Sequence, residues 1–314
     1  ITIIYENKGK QELVASRHAD VLQGLVDIAK IQSTESSNKI EGVFTSEERL
    51  RKIVMEKTTP RTRNEKEIAG YRDVLRTIHE SFEHIPIKPA VFLQLHRDLF
   101  KFEDARFCGT WKTSDNRIEE VETNGTRKLR FQPVAACQTP EAVEKLCAAY
   151  QESLSGSEAE PLLVISMFIL DFLCIHPFAD GNGRMSRLLT LLLLYQNGYI
   201  VGKYISIEKL IETSKEKYYD ALFASSVGWH EGKNDYRPFV TYMLGVIVAA
   251  YREFIDRTAL VAERKVSKAD RIVDMVRSKL GTFTKAEIQD TLPDIAQATI
   301  QRTLAQLLRE NKII

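Results

Sequence analysis

Residues 176–187 read His-Pro-Phe-Ala-Asp-Gly-Asn-Gly-Arg-Met-Ser-Arg and gather several groups able to do chemistry within twelve positions. His176 is the residue type that accepts a proton near neutral pH. Asp180 is a hard oxygen ligand suited to Mg²⁺ beside phosphate oxygens. Gly181, Asn182 and Gly183 let backbone N–H groups turn inward, and the start of the helix that follows adds partial positive charge. Arg184 and Arg187 stand three apart on one face of that helix's first turn. Two guanidinium forks beside such an anion nest suit a polyphosphate better than a single carboxylate. Each residue alone has an ordinary explanation: a structural histidine, a Gly-Asn-Gly turn, two solvated arginines. Their conjunction points to a phosphate site. A Walker loop is absent, and Gly181-Asn182-Gly183 follows a helix-like run and lacks the third glycine of a dinucleotide fingerprint.

The elements that must position these groups are mostly helices. A long apolar helix is expected to stop at His176-Pro177, where proline cannot continue it, with a flexible loop over 181–183 and a new helix from Arg184 through Gln196. Apolar residues recur at three- and four-residue spacing near 16–38, 45–56, 64–83, 88–100, 140–154, 160–175, 183–197, 207–225 and 235–259. Ser46-Glu-Glu, Pro60, Pro86, Pro140 after Thr139, and Gly198 punctuate their ends. The stretch from Gly109 to Gln132 breaks the helical pattern, and its Asn124-Gly125 predicts a β-hairpin turn. Thr258–Lys268 reads as a polar connector. Beyond it, Ala269–Leu280, Thr284–Thr291 and Ala296–Glu310 predict three short helices, followed by a strand-like Lys312-Ile313-Ile314, the outline of a small winged helix-turn-helix.

Composition bounds the partners. Lys+Arg total 44 against 43 Asp+Glu, a net charge of +1, so the total suggests neither a nucleic-acid nor a membrane partner. Residues 265–314 carry nine basic and six acidic side chains, a mild local excess that leaves DNA binding open beside a protein-docking or dimerising role, and with it a homodimer. The apolar runs Pro161–Phe178 and Leu188–Tyr195 read as core helices, and the visible start lacks a signal-peptide pattern. Cys108, Cys137, Cys147 and Cys174 form no C-x-x-C pair and are expected to be buried free thiols, which fits a reducing cytoplasm. Cys174 lies two residues from His176, but its apolar neighbours favour packing over a reactive pair.

From His176 to Arg187 the chain resembles the Fic motif, H-P-F-x-(D/E)-G-N-G-R-x-x-R, at every specified position. Leu95-His96, Gly109-x-Trp111-Lys112 and Tyr218-Tyr219-x-Ala221-Leu222 resemble the family as well, so the likeness covers about residues 30–255. The resemblance implies an all-α Fic fold with a β-hairpin flap and a protein adenylyltransferase that moves AMP from ATP, with Mg²⁺, onto a Ser, Thr or Tyr hydroxyl of a target protein. By that resemblance His176 is the general base and Asp180 the metal ligand. Gly181, Asn182 and Gly183 form the anion hole, with the Asn182 side chain also on phosphate. Arg184 takes the β-phosphate and Arg187 the γ-phosphate, Phe178 anchors the loop, and Tyr219 lies near adenine. The usual asparagine partner of that tyrosine appears here as Ser226. Gly183 stands where the phosphotransferase branch of the family carries lysine, so the resemblance is to the AMP-transfer form.

Upstream, Ser36-Ser37-Asn38-Lys39-Ile40-Glu41-Gly42 reads by itself as a polar helix end capped by Gly42. Beside a Fic motif it resembles the family's inhibitory helix, (S/T)-x-x-x-E-(G/N), through Ser37, Glu41 and Gly42. That likeness implies a Glu41–Arg187 ion pair that keeps the γ-phosphate out, and in some relatives the same glutamate positions water for removal of AMP. Ile118 is expected to be an apolar clamp on the flap, since Asn116 replaces the common valine; a hairpin with no target role is the other reading. The expected organisation is an N-terminal helical region over 1–60, a Fic core over 61–257 and a winged-helix-like module over 265–314. The competing function is a DNA-binding regulator whose Fic portion only senses nucleotide.

Overall fold

Apolar residues at helical spacing become fourteen α-helices beside one two-stranded sheet among the residues that the computed structural model describes, which are all but 18, 104–106, 122–126, 157–158, 266–267, 279–281, 311 and 314. In chain order these are α1 (Thr2–Arg17), α2 (Ala19–Ile40), α3 (Glu47–Val54), α4 (Arg63–Ser81), α5 (Pro89–Leu99), β1 (Ile118–Val121) and β2 (Arg127–Phe131). There follow α6 (Thr139–Ser155), α7 (Pro161–Ile175), α8 (Asn182–Gln196), α9 (Ile207–Thr213), α10 (Lys215–Ser226) and α11 (Arg237–Lys265). The last three are α12 (Lys268–Ser278), α13 (Lys285–Thr291) and α14 (Gln297–Arg309). The chain divides into two compact units, Ile1–Ile255 and Asp256–Ile314.

In the first unit α8 is apolar on nearly every side. Met185, Leu188, Leu189, Leu191, Leu192, Leu193 and Leu194 are fully buried, the signature of a helix inside a core rather than on its surface. Each such leucine contributes about 2 kcal/mol of burial. Around it pack α7, itself against α6, and α4, which also meets α5 and α2; α2 lies along α9. The approach of α4 to α5 depends on Gly70, where a Cβ would overlap the Leu99 carbonyl oxygen. Start signals act locally: the Ser46 and Thr62 side chains accept the Arg49 and Glu65 amides, and Pro161 opens α7. Gly198, with φ at +79°, closes α8. Its N–H reaches Tyr195 and that of Tyr199 reaches Leu194, a Schellman pair.

Several expectations need correction. A helix occupies Thr2–Arg17, where the periodicity is too weak to announce one; Ile4, Asn7 and Gln11 form its buried stripe. The segment 207–225 is two helices, because the Ser214 hydroxyl bonds back to the Leu210 carbonyl and also meets the Tyr242 hydroxyl. Thr258–Lys268 is not a connector: α11 runs on to Lys265, since Ala, Leu, Glu, Arg and Lys favour helix and no Gly or Pro interrupts them. Asn182 and Gly183 belong to the first turn of α8 rather than to a loop. Of the four cysteines, none in a disulfide, Cys147 and Cys174 are buried, whereas Cys108 is half-buried and Cys137 exposed.

The hairpin is present. β1 pairs antiparallel with β2, Ile118 opposite Phe131 and Glu119 opposite Leu129, with an irregularity between Ile118 and Glu119; Asn124-Gly125 lies outside the described residues. One apolar stretch, Arg237–Ala259 of α11, is long enough by length and composition to cross a membrane. Its Phe239, Met243, Ile247 and Phe254 are instead buried in the main core.

The second unit has its own core of Ile272, Val276, Ile288, Ile295, Ile300, Leu304 and Leu307. A capping box of Thr284 and Glu287 starts α13, and Arg271 meets both oxygens of Asp294 at 2.5 and 2.9 Å. Lys312 and Ile313 are not in a strand, and Ile314 lies outside the described residues.

Candidate active site

The end of α7 is bent sharply. His176 caps the helix in the left-handed region, φ 52° and ψ 61°, and its N–H still reaches the Phe172 carbonyl at 2.9 Å. A non-glycine residue held there costs about 1–3 kcal/mol, so the surroundings must impose it. They do so from the segment before the hairpin. The Lys112 N–H bonds the Pro177 carbonyl at 2.9 Å, and its buried ammonium bonds the Ile175 carbonyl at 3.0 Å, a cation on the negative end of α7. Burial lowers the Lys112 pKa to about 8.

The loop from 177 to 181 is fixed by aromatic stacking and amide clamps. Phe178, fully buried, lies between His96 (ring centroids 3.8 Å apart, planes at 3°) and Trp111 (5.3 Å). His96 Nδ1 accepts the Gly109 N–H at 3.0 Å, so the proton sits on Nε2 and is donated to the Asp180 carbonyl at 3.0 Å. Burial pushes the His96 pKa down to about 4, in keeping with a neutral ring. Asn182 returns its amide to the loop, accepting the Phe178 N–H at 2.9 Å and donating to the Phe178 carbonyl at 2.7 Å. The side chain expected on phosphate is therefore already taken up in holding the backbone. Gly181 takes φ +81°, and a Cβ there would press on Phe100. Asp180 Oδ1 accepts the Gly181 N–H at 2.6 Å.

Both arginines are buried and paired. Arg187 donates from Nε to the Ser37 hydroxyl, and from Nη2 to the Ser37 carbonyl and Glu41 Oε1, each at 2.8 Å. Glu41 is carried there by the C-terminal cap of α2. The Gly42 N–H meets the Lys39 carbonyl and the Val43 N–H the Asn38 carbonyl, a Schellman motif with Gly42 at φ +78°. The plain cap and the carboxylate contact are thus one device. Burial works against the Glu41 charge, but the field and hydrogen bond of Arg187, with Arg184 and Lys215 adding, hold its carboxyl below the ordinary value. Arg184 meets Glu67 of α4 at 2.5 Å and lies 3.7 Å from Asp180 Oδ1.

A cavity of about 350 Å³ opens beside these groups. Its wall includes Glu41, Ile118, Arg130, His176, Gly183, Arg187, Tyr218, Tyr219, Phe223 and Ser226. Among the expected site residues it brings together His176, Gly183, Arg187, Glu41, Tyr219 and Ile118. Ser37, Gly42, Asp180, Gly181, Asn182 and Arg184 support that wall without lining it. His176 Nδ1 lies 3.3 Å from the Leu173 carbonyl, which can only accept, so the proton sits on Nδ1 and Nε2 keeps its lone pair. Burial, helped by the Lys112 charge, lowers the His176 pKa to about 4 against the pull of the Leu173 carbonyl, so the ring is a neutral acceptor at pH 7. The first amides of α8 have no intrahelical partners, an arrangement suited to an anion beside the ring. Asp180 has a side chain about half exposed, 48%, which suits a divalent ion shared with phosphate oxygens. Residue type and spacing alone single out none of His96, Lys112 and Glu67. The first two were visible only as family context, and Glu67 is one more charge on an amphipathic helix.

Gly183 has a specific reason to be glycine. A Cβ there would overlap Glu41 Oε1 and stand 3.0 Å from Glu41 Cδ and 3.3 Å from Arg187 Nη1. Its φ is not in the left-handed region, and alanine suits a helix better than glycine by about 1 kcal/mol, so the yielding group is the flexible carboxylate. Gly183→Ala is expected to raise the Glu41 pKa toward its ordinary range in a carboxyl NMR titration. An unmoved Glu41 titration would show that the approach is looser than these distances.

Residues 86–194 match the Fic/DOC family. Over 228 residues the chain is 24% identical to "Protein adenylyltransferase fic-1" of Caenorhabditis elegans, covering 72% of this chain and 40% of that protein. The chain thus spans less than half the length of the curated relatives it matches. Its structure is similar to a Fic domain containing signaling protein from Bacteroides thetaiotaomicron, with TM-score 0.68 and 20% identity over 82% of this chain and 98% of that one. It is also similar to a Fic family protein from Desulfovibrio desulfuricans, with TM-score 0.63 and 20% identity over 99% of this chain and 90% of that one. At these identities the structures establish the fold, a mainly helical Fic fold with a small β-hairpin.

Proposed function

We propose, for a chain that carries a Fic/DOC family domain and is homologous to Fic protein adenylyltransferases, that it transfers AMP from ATP to a hydroxyl side chain of a protein. The observation that carries this is the single cavity in which a neutral His176, with its Nε2 lone pair open, faces the start of α8 and Arg187. In the proposed step the target's hydroxyl oxygen bonds to the α-phosphorus of ATP and its proton passes to His176 Nε2. The bond from the α-phosphorus to the bridging oxygen breaks, and pyrophosphate leaves. Such a displacement needs in-line placement and charge neutralisation more than covalent help. The amides at the start of α8 hold phosphate oxygens, Arg184 the β-phosphate and Arg187 the γ-phosphate. Asp180 would hold Mg²⁺, which when bound neutralises phosphate charge. Tyr219 lies on the same wall and supports an adenine site there, with Ser226 beside it in place of the usual asparagine. Ile118, on the hairpin edge of the cavity, suits a contact with the target chain.

In the same reading Glu41 is a brake. It occupies the Nη2 of Arg187 that the γ-phosphate would need, and Ser37 fixes the guanidinium from behind. The second unit, three helices on a separate core with a mild basic excess, supports a winged-helix-like docking module. Intact mass of proteins treated with the Glu41→Gly chain and Mg-ATP tests the reaction. An AMP increment is expected, and a phosphate increment or none would overturn it.

A further inference from the structure

Arg184 is among the largest fully buried side chains, 2% exposed, and a guanidinium cannot shed its charge by titration. It therefore needs a fixed counter-charge, because an unpaired buried ion is strongly unfavourable. Glu67, 3% exposed, supplies one from α4, 117 residues away in the chain, with Oε2 at 2.5 Å from Nη1. Its other oxygen, Oε1, accepts from Arg63 Nε at 3.0 Å, and Arg63 is 70% exposed, so the carboxylate is tied on both sides. The Phe100 ring lies 4.9 Å from the guanidinium carbon and forms a second side of its seat. Nη2 is left 3.7 Å from Asp180 Oδ1, too far for a hydrogen bond, and Nε has no partner among the described residues. Nη1 is thus clamped and Nε enclosed, and Nη2 is the nitrogen left toward the loop.

We propose that Glu67 is a positioning residue: by clamping Nη1 it fixes the guanidinium of Arg184 so that Nη2 faces the β-phosphate of the nucleotide. This rests on the nucleotide-site reading above and extends it to a residue outside the motif. Glu67 differs from Glu41 in kind. Glu41 is one-third exposed, stands past a helix end and lines the cavity, so it can leave. Glu67 sits within α4, doubly bonded and buried, and its departure would strand the buried charge of Arg184. It is a support, and it does not touch the substrate.

The test uses the full chain in the Glu41→Gly background, with the KM for ATP from turnover and the Kd for Mg-ATP from calorimetry. Glu67→Gln keeps the volume and removes the charge; it is expected to raise both constants about tenfold and to lower kcat as well, because charge builds on the β-phosphate as pyrophosphate leaves. Glu67→Asp keeps the charge and draws the guanidinium back by one methylene, and it is expected to shift both in the same direction, which covers the case of a poorly folding glutamine variant. In an Arg184→Ala background neither substitution should change the constants further. A merely structural Glu67 would act equally in both backgrounds, and that result, or an unchanged Kd, overturns the proposal. Absence of AMP product from the Glu41→Gly parent would count against the transfer reaction alone, since the calorimetric Kd still reads the clamp. Failure of the parent to bind Mg-ATP overturns both.

Discussion

Glu41→Gly is expected to raise AMP incorporation from labelled ATP by about a hundredfold, whether into the chain itself or into a target. The figure follows from the contact that is removed. A carboxylate paired with a buried arginine is strongly held, and displacing it by a phosphate carries a penalty of about 3 kcal/mol, close to two powers of ten in rate. Glycine at 41 leaves the two Ser37 contacts of Arg187 in place and fits a helix end, so the fold should persist. The γ-phosphate then meets a guanidinium with an open Nη2. Incorporation as low as in the wild-type chain would mean that the Glu41–Arg187 pair is structural and restrains nothing.

His176→Ala in the same background is expected to lower kcat about a thousandfold, the usual worth of a positioned base, while the KM for ATP changes little. The separation follows because the imidazole is assigned to the proton of the target hydroxyl and not to phosphate. Equal loss in KM would mark His176 as a nucleotide ligand. The pH profile carries further information. With a pKa lowered to about 4, the neutral, accepting ring persists well below the ordinary value of 6.5, so the acidic fall in rate should centre near pH 4 to 5. A fall centred at 6.5 would contradict the burial of the ring. Stability changes in the same window. His79 and His96, lowered to about 3 and about 4 by burial, are neutral when folded. The unfolded chain therefore takes up protons first as pH falls below 6.5, and the stability these rings provide above 6.5 is lost as pH falls toward their folded values. Circular dichroism at each pH separates that loss from protonation of the base.

Chain-local features were legible from residues alone. Proline after His176, glycines at 42, 181 and 198 that take positive φ, and leucines at helical spacing act through the backbone within one turn, so nearby sequence suffices to announce them. The twelve positions from His176 to Arg187 are contiguous for the same reason: one helix end and the next helix start already hold imidazole, carboxylate, amides and guanidiniums together. What lay beyond reach is long-range or marginal. The helix Thr2–Arg17 and the extension of α11 past Thr258 have weak or charged patterns, and packing elsewhere in the chain decides them. The break at Ser214 depends on the Tyr242 hydroxyl, 28 residues on.

Partner choice divides the same way. The pairing of Glu41 with Arg187, 146 residues apart, could be anticipated only through a family likeness, and that of Glu67 with Arg184 not at all. Sequence shows that an arginine needs a counter-charge when buried, but not whether it is buried or which of 43 carboxylates will face it. Only tertiary packing brings α2 and α4 against the start of α8 and thereby decides which carboxylate faces which arginine.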